Sequence, residues 1–323
     1  MSSDVTFINV RKAFQAVAGL QSMTETDNFF FEQSLNRAVR RAYDESPSWA
    51  RYLVTAEERN VTAFKVSGYA EDSGYNGLYY KIGEKSDGSS VYGQVGKTSG
   101  GLRADSQIYQ YNSSTKIWSF SGVSWTKDLE TGVITIVAGS EINTQRDTSI
   151  EYDHPWEVVW STLSGKTPQL EQVQTIPYSE LVEAYADTDP AQEKTTITEF
   201  IRIHRKKAFL NESEIEYDFF VNNDGANILN AVNDQDGVAY VTYKKPVSTY
   251  SETSTDVPAE FFDFIVYSAL SDFYTGDGQT EKALIAEQSA KKMLDRELFK
   301  IDIRNNNNSI NHKFSTYVNR QSR

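Results

Sequence analysis

The stretches of this chain that come nearest to a known chemical motif are both incomplete. "GKT" at residues 96–98 resembles the end of a phosphate-binding loop, in which backbone amides and a lysine hold phosphate oxygens. That motif requires a glycine five residues before its second glycine, and Val91 occupies the position. The stretch that begins at Asp72 resembles a calcium loop, but Gly83 stands where calcium requires a bidentate glutamate. The sequence therefore predicts neither a nucleotide site nor a calcium site.

The histidines and cysteines narrow the catalytic possibilities further. His154, His204 and His312 lie far apart and lack the spacing of metal ligands. The chain has no cysteine, which excludes disulfides, thiol nucleophiles and thiolate metal sites. No serine stands in the G-x-S-x-G context of a nucleophile elbow. The 45 acidic residues offer many carboxylate pairs, and nothing selects one of them. We therefore expect no enzyme, with no catalytic residue, no cofactor and no metal.

The amino-acid composition limits the classes of partner that the chain can bind. At 323 residues the chain is long enough for about two domains. A net charge of −13 argues against a protein that binds nucleic acid through its phosphates, which requires clustered lysine and arginine. The acidity fits either simple solubility or a surface past which DNA slides without being held. No run of eighteen apolar residues is present and no secretory signal opens the chain, so we expect no membrane partner.

The most regular apolar spacing lies in residues 257–300 and predicts a helical hairpin. Pro258 suits the first turn of a helix, because the amide hydrogen that proline lacks has no partner there. The glycines at 276 and 278 end that helix, since glycine takes the left-handed cap without steric cost. Its apolar stripe is broader than the second helix alone can cover, so we expect a further packing partner.

A second helical region lies near the N-terminus. Residues 26–45 have an apolar residue at every third or fourth position, and Thr26 or Asp27 would cap the helix. Pro47 ends this pattern, and the chain is expected to become extended afterwards.

From about Thr62 the spacing of apolar residues changes from helical to alternating. Up to residue 165 the chain is rich in Gly, Ser, Tyr, Trp and Thr, with short alternating runs separated by turn signals such as Asn76-Gly77. Helical sequence precedes this stretch and mixed sequence follows it, which predicts an inserted antiparallel β-domain. Its tryptophans would either stack on a sugar or fill the domain's own core. Residues 166–256 predict three further strands.

The last residues differ from the rest of the chain in charge. Residues 301–323 carry four basic side chains against one acid, Asp302. Four consecutive asparagines disfavour a helix, and the apolar residues are too sparse to build a core. We expect an extended tail that is loosely held until a partner binds it.

Several stretches together resemble the head-to-tail adaptor proteins of tailed bacteriophages, and most closely the tail tubular protein A group. The stretches are "FEQSLNRAVRRAYDESPSWARYLVTAEERNV", "EFIRIHRKKAFLNESEIEYDFFVNNDGANIL", "VAYVTYKKP" and "VPAEFFDFIVYSALSDFYTGDGQTEKALIAEQSAKKML". The most specific part is the hairpin, with V-P before its first helix and D-G-Q-x-x-K-A at its turn. The resemblance spans residues 31–300 without the stretch 64–165, which itself resembles a small aromatic β-module of phage structural proteins.

The resemblance implies an α+β fold. A helical bundle, made of N-terminal helices and the C-terminal hairpin, carries an inserted antiparallel β-domain and an extended C-terminal tail. The expected parts are an N-terminal helical part (1–61), the inserted β-domain (62–165), a mixed β segment (166–256), the helical hairpin (257–300) and the tail (301–323).

The resemblance also implies a function in the virion neck, between the capsid portal and the tail, after synthesis in the host cytoplasm. Copies of the chain would form a ring, commonly dodecameric, that contacts the portal protein and the tail nozzle or tail tube protein. Packaged DNA would pass through without specific binding. The expected ring-interface residues are Phe262, Ile265, Val266 and Phe273. The expected portal-docking residues of the tail are Ile301, Ile303, Arg304, Ile310, Lys313, Phe314, Tyr317 and Arg320.

One alternative belongs to a different functional class. The chain could be a carbohydrate- or host-binding module of the virion, in which the helices serve only for attachment. This alternative requires the aromatic side chains of the inserted β-domain to be exposed rather than buried.

Overall fold

The computed structural model describes residues 5–68, 75–95, 107–112, 117–128, 131, 133–146, 169–182, 192–205, 216–229 and 237–321. The fold of this part is α+β, with four α-helices and antiparallel sheets, as the sequence predicted. The chain divides into two compact units. We call Met1–Leu53 with Pro246–Arg323 the helical unit, and Val54–Lys245 the β unit.

Both ends of the chain supply the helices of the helical unit. They are α1 (Phe7–Ala18), α2 (Glu25–Asp44), α3 (Phe262–Gly276) and α4 (Thr280–Gln321), with a short 3-10 helix (Ala259–Phe261) before α3. Thr24 caps α2, because its hydroxyl accepts from the amide of Asp27 while the Asp27 carboxylate accepts from the Thr24 amide. This backbone hydrogen bond lowers the pKa of Asp27. The cap therefore lies two residues before the predicted Thr26.

The core of the helical unit lies around α3, which contacts the three other helices. Phe31 of α2 lies between Phe7 and Phe14 of α1, with ring centroids 5.5 and 5.0 Å away. The ring of Phe14 also meets Phe273 of α3 edge-on at 5.9 Å. Since α1 and α2 come from one end of the sequence and α3 from the other, this core holds the two ends of the chain together.

Helix α4 is much longer than predicted, because it continues to Gln321 instead of ending near residue 300. The prediction of an extended tail is therefore wrong. No glycine or proline interrupts residues 280–321, and extending an existing helix is far easier than starting one. Asparagine disfavours a helix by less than about 0.7 kcal/mol per residue, so four of them do not end it.

The largest sheet of the β unit has seven antiparallel strands in the order β7-β6-β5-β4-β3-β2-β8. The strands are β2 (Phe64–Ser67), β3 (Gly77–Glu84), β4 (Ser90–Gln94), β5 (Gln107–Asn112), β6 (Ile117–Lys127), β7 (Ile134–Arg146) and β8 (Gln169–Gln172). A bridge joins Glu84, at the end of β3, to Val133, just before β7. Because β3 and β7 are four strands apart in the sheet, this bridge requires the sheet to curl, and it forms a half-barrel.

The predicted end of the β-domain at residue 165 does not match this sheet. Its last strand, β8, lies at residues 169–172 and pairs with β2, the first strand of the predicted insertion. The pairing joins residues about a hundred positions apart, such as Phe64 and Gln172, and no local signal marks it. The predicted strand in "WEVVWS", which includes Trp156 and Trp160, lies outside the described residues.

Three smaller sheets complete the described part of the β unit. One has the order β1-β15-β12 and consists of β1 (Leu53–Asn60), β12 (Glu199–His204) and β15 (Val238–Lys244). The second has the order β13-β14-β9 and consists of β9 (Thr175–Pro177), β13 (Phe219–Val221) and β14 (Gly225–Ile228). The third pairs β10 (Leu181–Val182) with β11 (Gln192–Glu193). The strands predicted in residues 166–256 are confirmed, and the middle one is a hairpin of two strands.

We expect the helical unit to fold without the β unit. The chain enters the β unit on β1 and leaves it on β15, and the amide of Ala56 donates to Thr242 Oγ1 at 3.2 Å, so the two ends are close. Replacing residues 54–245 by a short Gly-Ser linker should leave a helical protein that unfolds cooperatively, as circular dichroism during heating would show. Deleting only residues 63–164 should destabilise the protein more than replacing residues 54–245, because the remaining β8 then has no β2 to pair with. A non-cooperative transition in the larger deletion would contradict the division into units.

Candidate assembly surfaces

The four predicted ring-interface residues on α3 belong to the core of the chain itself. Ile265 is fully buried and Val266 is 2 % exposed. Phe262 and Phe273 are half-buried and pack against the same core. Another copy cannot contact Ile265 or Val266 unless the helices first separate. The surplus apolar face that the sequence predicted is therefore covered by α1 and α2, and a ring interface needs a different surface.

A matched pair of isoleucines tests this assignment. Ile265→Ala should lower the free energy of unfolding of the helical unit by about 2–5 kcal/mol, because it leaves a cavity in a packed core. Ile285→Ala, on α4, should change it by less than about 0.5 kcal/mol, because the Ile285 side chain is 64 % exposed. Urea unfolding followed by circular dichroism at a helix wavelength measures both. Equal losses would show that Ile265 is not in the core.

The predicted docking residues of the tail lie on a helix instead of an extended chain. Ile301 of α4 packs against the described core and is half-buried. The other predicted residues follow it on the same helix, and their side chains lie outside the described part of the chain: Ile303, Arg304, Ile310, Lys313, Phe314, Tyr317 and Arg320. About 20 residues of α4 thus follow Ile301, a length of about 30 Å at 1.5 Å per residue. That these residues dock on a portal stays a prediction.

A second apolar stripe follows α4 on the side opposite to its core-facing residues. The core side carries Ala290, Leu294 and Ile301. At 3.6 residues per turn, six other apolar positions fall within about 40° of a line on the reverse side. We call them the outer stripe: Ile285, Phe299, Ile303, Ile310, Phe314 and Tyr317. Phe299 and Ile285 are each 64 % exposed. Neither residue was predicted as a site from the sequence, although apolar positions at helical spacing indicate both of them.

The β13–β14 hairpin presents another exposed surface, which mixes acidic and apolar side chains. Burial alternates from Glu216, which precedes β13 and forms a bridge with His204 of β12, into the strand itself. Glu216, Asp218 and Phe220 are exposed, and the residues between them are buried or half-buried. Asn227 lies opposite Phe220 in the register, and Leu229 lies opposite Asp218, which places all five on one side. We call these residues the hairpin outer face. Phe220 is 51 % exposed and Leu229 is 57 % exposed.

Two further observations show that the hairpin outer face is an incomplete surface. In the described part of the chain, β13 is an edge strand, because it pairs only with β14. The Asn227 Oδ1 accepts from Thr175 Oγ1 at 2.6 Å, but the buried Nδ2 has no hydrogen-bond partner in the structure. A buried donor without a partner is costly. At its turn the hairpin is held in place, because Asp224 forms an ion pair with Lys65 of β2.

The charges of the two surfaces are opposite. Residues 208–243, which contain the hairpin, include seven acidic residues and no lysine or arginine. Residues 301–323 have a net charge of +3, although the whole chain has −13. Both values can be counted directly from the sequence. Only the structure shows that the acidic segment also exposes Phe220 and Leu229.

Arg59, on β1, is the most buried charged residue in the described part of the β unit. Its guanidinium donates to Glu57 Oε2 at 2.7 Å, to Tyr243 Oη at 2.8 Å and to the Thr195 carbonyl at 2.5 Å. It also lies 5.0 Å from the centre of the Tyr243 ring. Burial, followed by the hydrogen bond to Glu57, raises the pKa of Tyr243. These contacts join β1 to β15, so they have a structural role.

Comparison with known proteins does not show a family for this chain. The chain matches no protein-family model, and no curated protein or solved structure is significantly similar to it. Within the described residues, no three histidine, aspartate or glutamate side chains are grouped as metal ligands would be. The same part of the chain contains no helix long and apolar enough to cross a membrane. The two exposed surfaces are therefore the features on which a function can be argued.

Proposed function

We propose that the chain is a structural protein of a tailed-phage virion and forms an adaptor ring between the portal and the tail. The observation that carries this proposal is helix α4, which runs for 42 residues and continues for 20 residues past Ile301, a half-buried residue that packs against the core. A long helix that exposes apolar side chains, as α4 exposes Ile285 and Phe299, is suited to binding a partner. The sequence resemblance to head-to-tail adaptors supports the same function.

In this proposal the helical units of neighbouring copies, each a helical bundle, stand side by side. Contacts between two different surfaces of the same chain produce a closed ring when the rotation between copies closes. The resemblance implies twelve copies. A wall with a net charge of −13 per copy repels phosphates and lets packaged DNA pass without being held. The portal protein would contact one end of the ring and the tail nozzle or tail tube protein the other.

The alternative function, binding of a carbohydrate or a host surface, requires exposed aromatic rings in the β unit. The described rings of its seven-stranded sheet are buried and packed on each other. Phe64 stacks on Tyr79 at 5.2 Å and meets Tyr92 and Tyr109 at 5.1 and 5.4 Å. These rings fill a core and offer no free face to a sugar. The side chains of the tryptophans on which the alternative also rests, Trp118, Trp125, Trp156 and Trp160, lie outside the described part of the chain, so the alternative stays a prediction.

The adaptor function is tested by the assembly state of the purified full-length chain. Mass photometry and negative-stain electron microscopy would be applied to the chain alone and after mixing with portal protein from the same virion. We expect closed rings with a central channel, either directly or on contact with the portal. Monomers under both conditions, across the micromolar range, would contradict the proposal.

A further inference from the structure

We propose that the C-terminal part of α4, residues 302–321, docks on the hairpin outer face of a second copy of the chain. This inference rests on the proposed function and deepens it, because it names the two surfaces through which neighbouring copies of the ring are joined. The helix of each copy reaches one neighbour, and the hairpin of each copy receives the helix of the other neighbour.

Charge complementarity is the first argument. The tail segment is basic, with a net charge of +3 over residues 301–323, whereas residues 208–243 contain seven acids and no basic residue. Among those acids, Glu216 and Asp218 are exposed on the hairpin outer face. Opposite charges favour docking of the helix of one copy on the hairpin of another. Two tails would repel each other, which disfavours a symmetric tail-to-tail dimer.

Apolar complementarity is the second argument. Residues 302–321 bring four residues of the outer stripe, two of them aromatic, and the hairpin brings Phe220 and Leu229, both more than half exposed. The hairpin outer face also contains Asn227, whose buried Nδ2 has no hydrogen-bond partner in the described structure. An acceptor on the docking helix would satisfy this donor. Isolated exposed side chains are ordinary, but here they lie together with the opposite charge and an unused donor.

The size of the contact explains why a ring is expected. The two aromatic side chains of the docking helix bury about 300–500 Å² in total at 150–250 Å² each. A stable interface buries about 800 Å² per partner, so one helix on one hairpin is too small by itself. In a closed ring every copy makes two such contacts, and releasing one copy requires both of them to break. We therefore expect the chain to be present as monomers and as closed rings, with few open assemblies of intermediate size.

Charge reversal in the full-length chain tests the inference. Lys313→Glu with Arg320→Glu changes two tail positions that flank the outer stripe on one side. Glu216→Lys with Asp218→Lys changes the exposed acids of the hairpin outer face. Either pair alone places like charges together, so we expect assembly about a hundredfold weaker by mass photometry. Mixing the two altered proteins should restore assembly, since the altered tail and the altered hairpin are again complementary.

If assembly returns when the two altered proteins are mixed, each had lost docking and not its fold, because two misfolded proteins would not assemble with each other. Glu171→Lys with Glu199→Lys is the matched control, since both residues are exposed in the β unit and the change in charge is identical. This control should assemble normally. Normal assembly of the hairpin variant would overturn the inference.

The same altered proteins also show whether the tail docks on the portal instead of on a second copy of the chain. In that case the tail variant would still form rings and would fail only to bind portal protein, which overturns the inference but leaves the adaptor function standing. Monomers of the unaltered chain, with and without portal, would overturn the adaptor function and the inference together.

Discussion

Arg59→Ala is expected to lower the free energy of unfolding of the β unit by about 3 kcal/mol, at the lower end of the range for breaking a buried ion pair. The Arg59 side chain is fully buried, and its loss removes the donors to Tyr243 and to the Thr195 carbonyl. Glu57 would lose its partner, but it is about one-third exposed, so water compensates part of the loss.

Urea unfolding followed by tryptophan fluorescence suits this measurement, because four of the five tryptophans lie within residues 54–245. Arg202→Ala, an exposed arginine on β12, is the control and should change the free energy by less than about 0.5 kcal/mol. Arg59→Met, which keeps much of the side-chain volume, should be less harmful than Arg59→Ala. If Arg59→Ala and Arg202→Ala behave alike, the buried network contributes nothing to stability.

The second large effect is expected at Gly225, in the turn of the β13–β14 hairpin. Its φ is +144°, and an added Cβ would lie 2.0 Å from the carbonyl oxygen of Ile176 on β9. Backbone must move to accept any side chain there. We expect Gly225→Ala to lower the free energy of unfolding of the β unit by more than about 3 kcal/mol, through strain at this φ together with the clash.

Gly237→Ala is the matched control for this change. Gly237 has a φ of +62°, and nothing lies within 4 Å of its added Cβ. Only the left-handed backbone is disfavoured there, by about 1–2 kcal/mol. Because the hairpin outer face depends on β9, β13 and β14, Gly225→Ala should also abolish assembly, whereas Gly237→Ala should keep it. Full assembly of a folded Gly225→Ala protein would contradict the placement of the docking surface on this hairpin.

The helices near both ends of the chain could be predicted because their signals are local. Pro258 precedes α3 and Gly278, with a φ of +74°, follows it as predicted, whereas Gly276 is the last residue of the helix. The strands of residues 166–256 were likewise visible as alternating apolar residues. The length of α4 was not predicted, because the asparagine run was taken as a helix stop, whereas asparagine only lowers the stability of a helix that has already started.

The candidate surfaces were predicted less well, and Ile265 and Phe299 show why. Both are apolar residues of the predicted hairpin, yet Ile265 is fully buried and Phe299 is 64 % exposed. The spacing of a helix shows which residues share a face, but the neighbouring elements decide which face is covered. The packing of α1 and α2 on α3 buries Ile265, and it involves residues more than two hundred positions apart, such as Phe14 and Phe273.

The sequence by itself determined the α+β class, the presence of helices near both ends of the chain, the strand-rich middle, the acidic chain with its basic C-terminal segment, and the lack of thiol chemistry. Each of these follows from local residue type, spacing or charge. The tertiary structure alone decided that β8 at residues 169–172 closes the large sheet beside β2, that the α3 stripe is core, and that Phe220 and Leu229 are exposed beside acidic residues. These features depend on contacts between segments that are distant in the sequence. Whether a side chain is buried is decided by those contacts and cannot be read from the residue type alone.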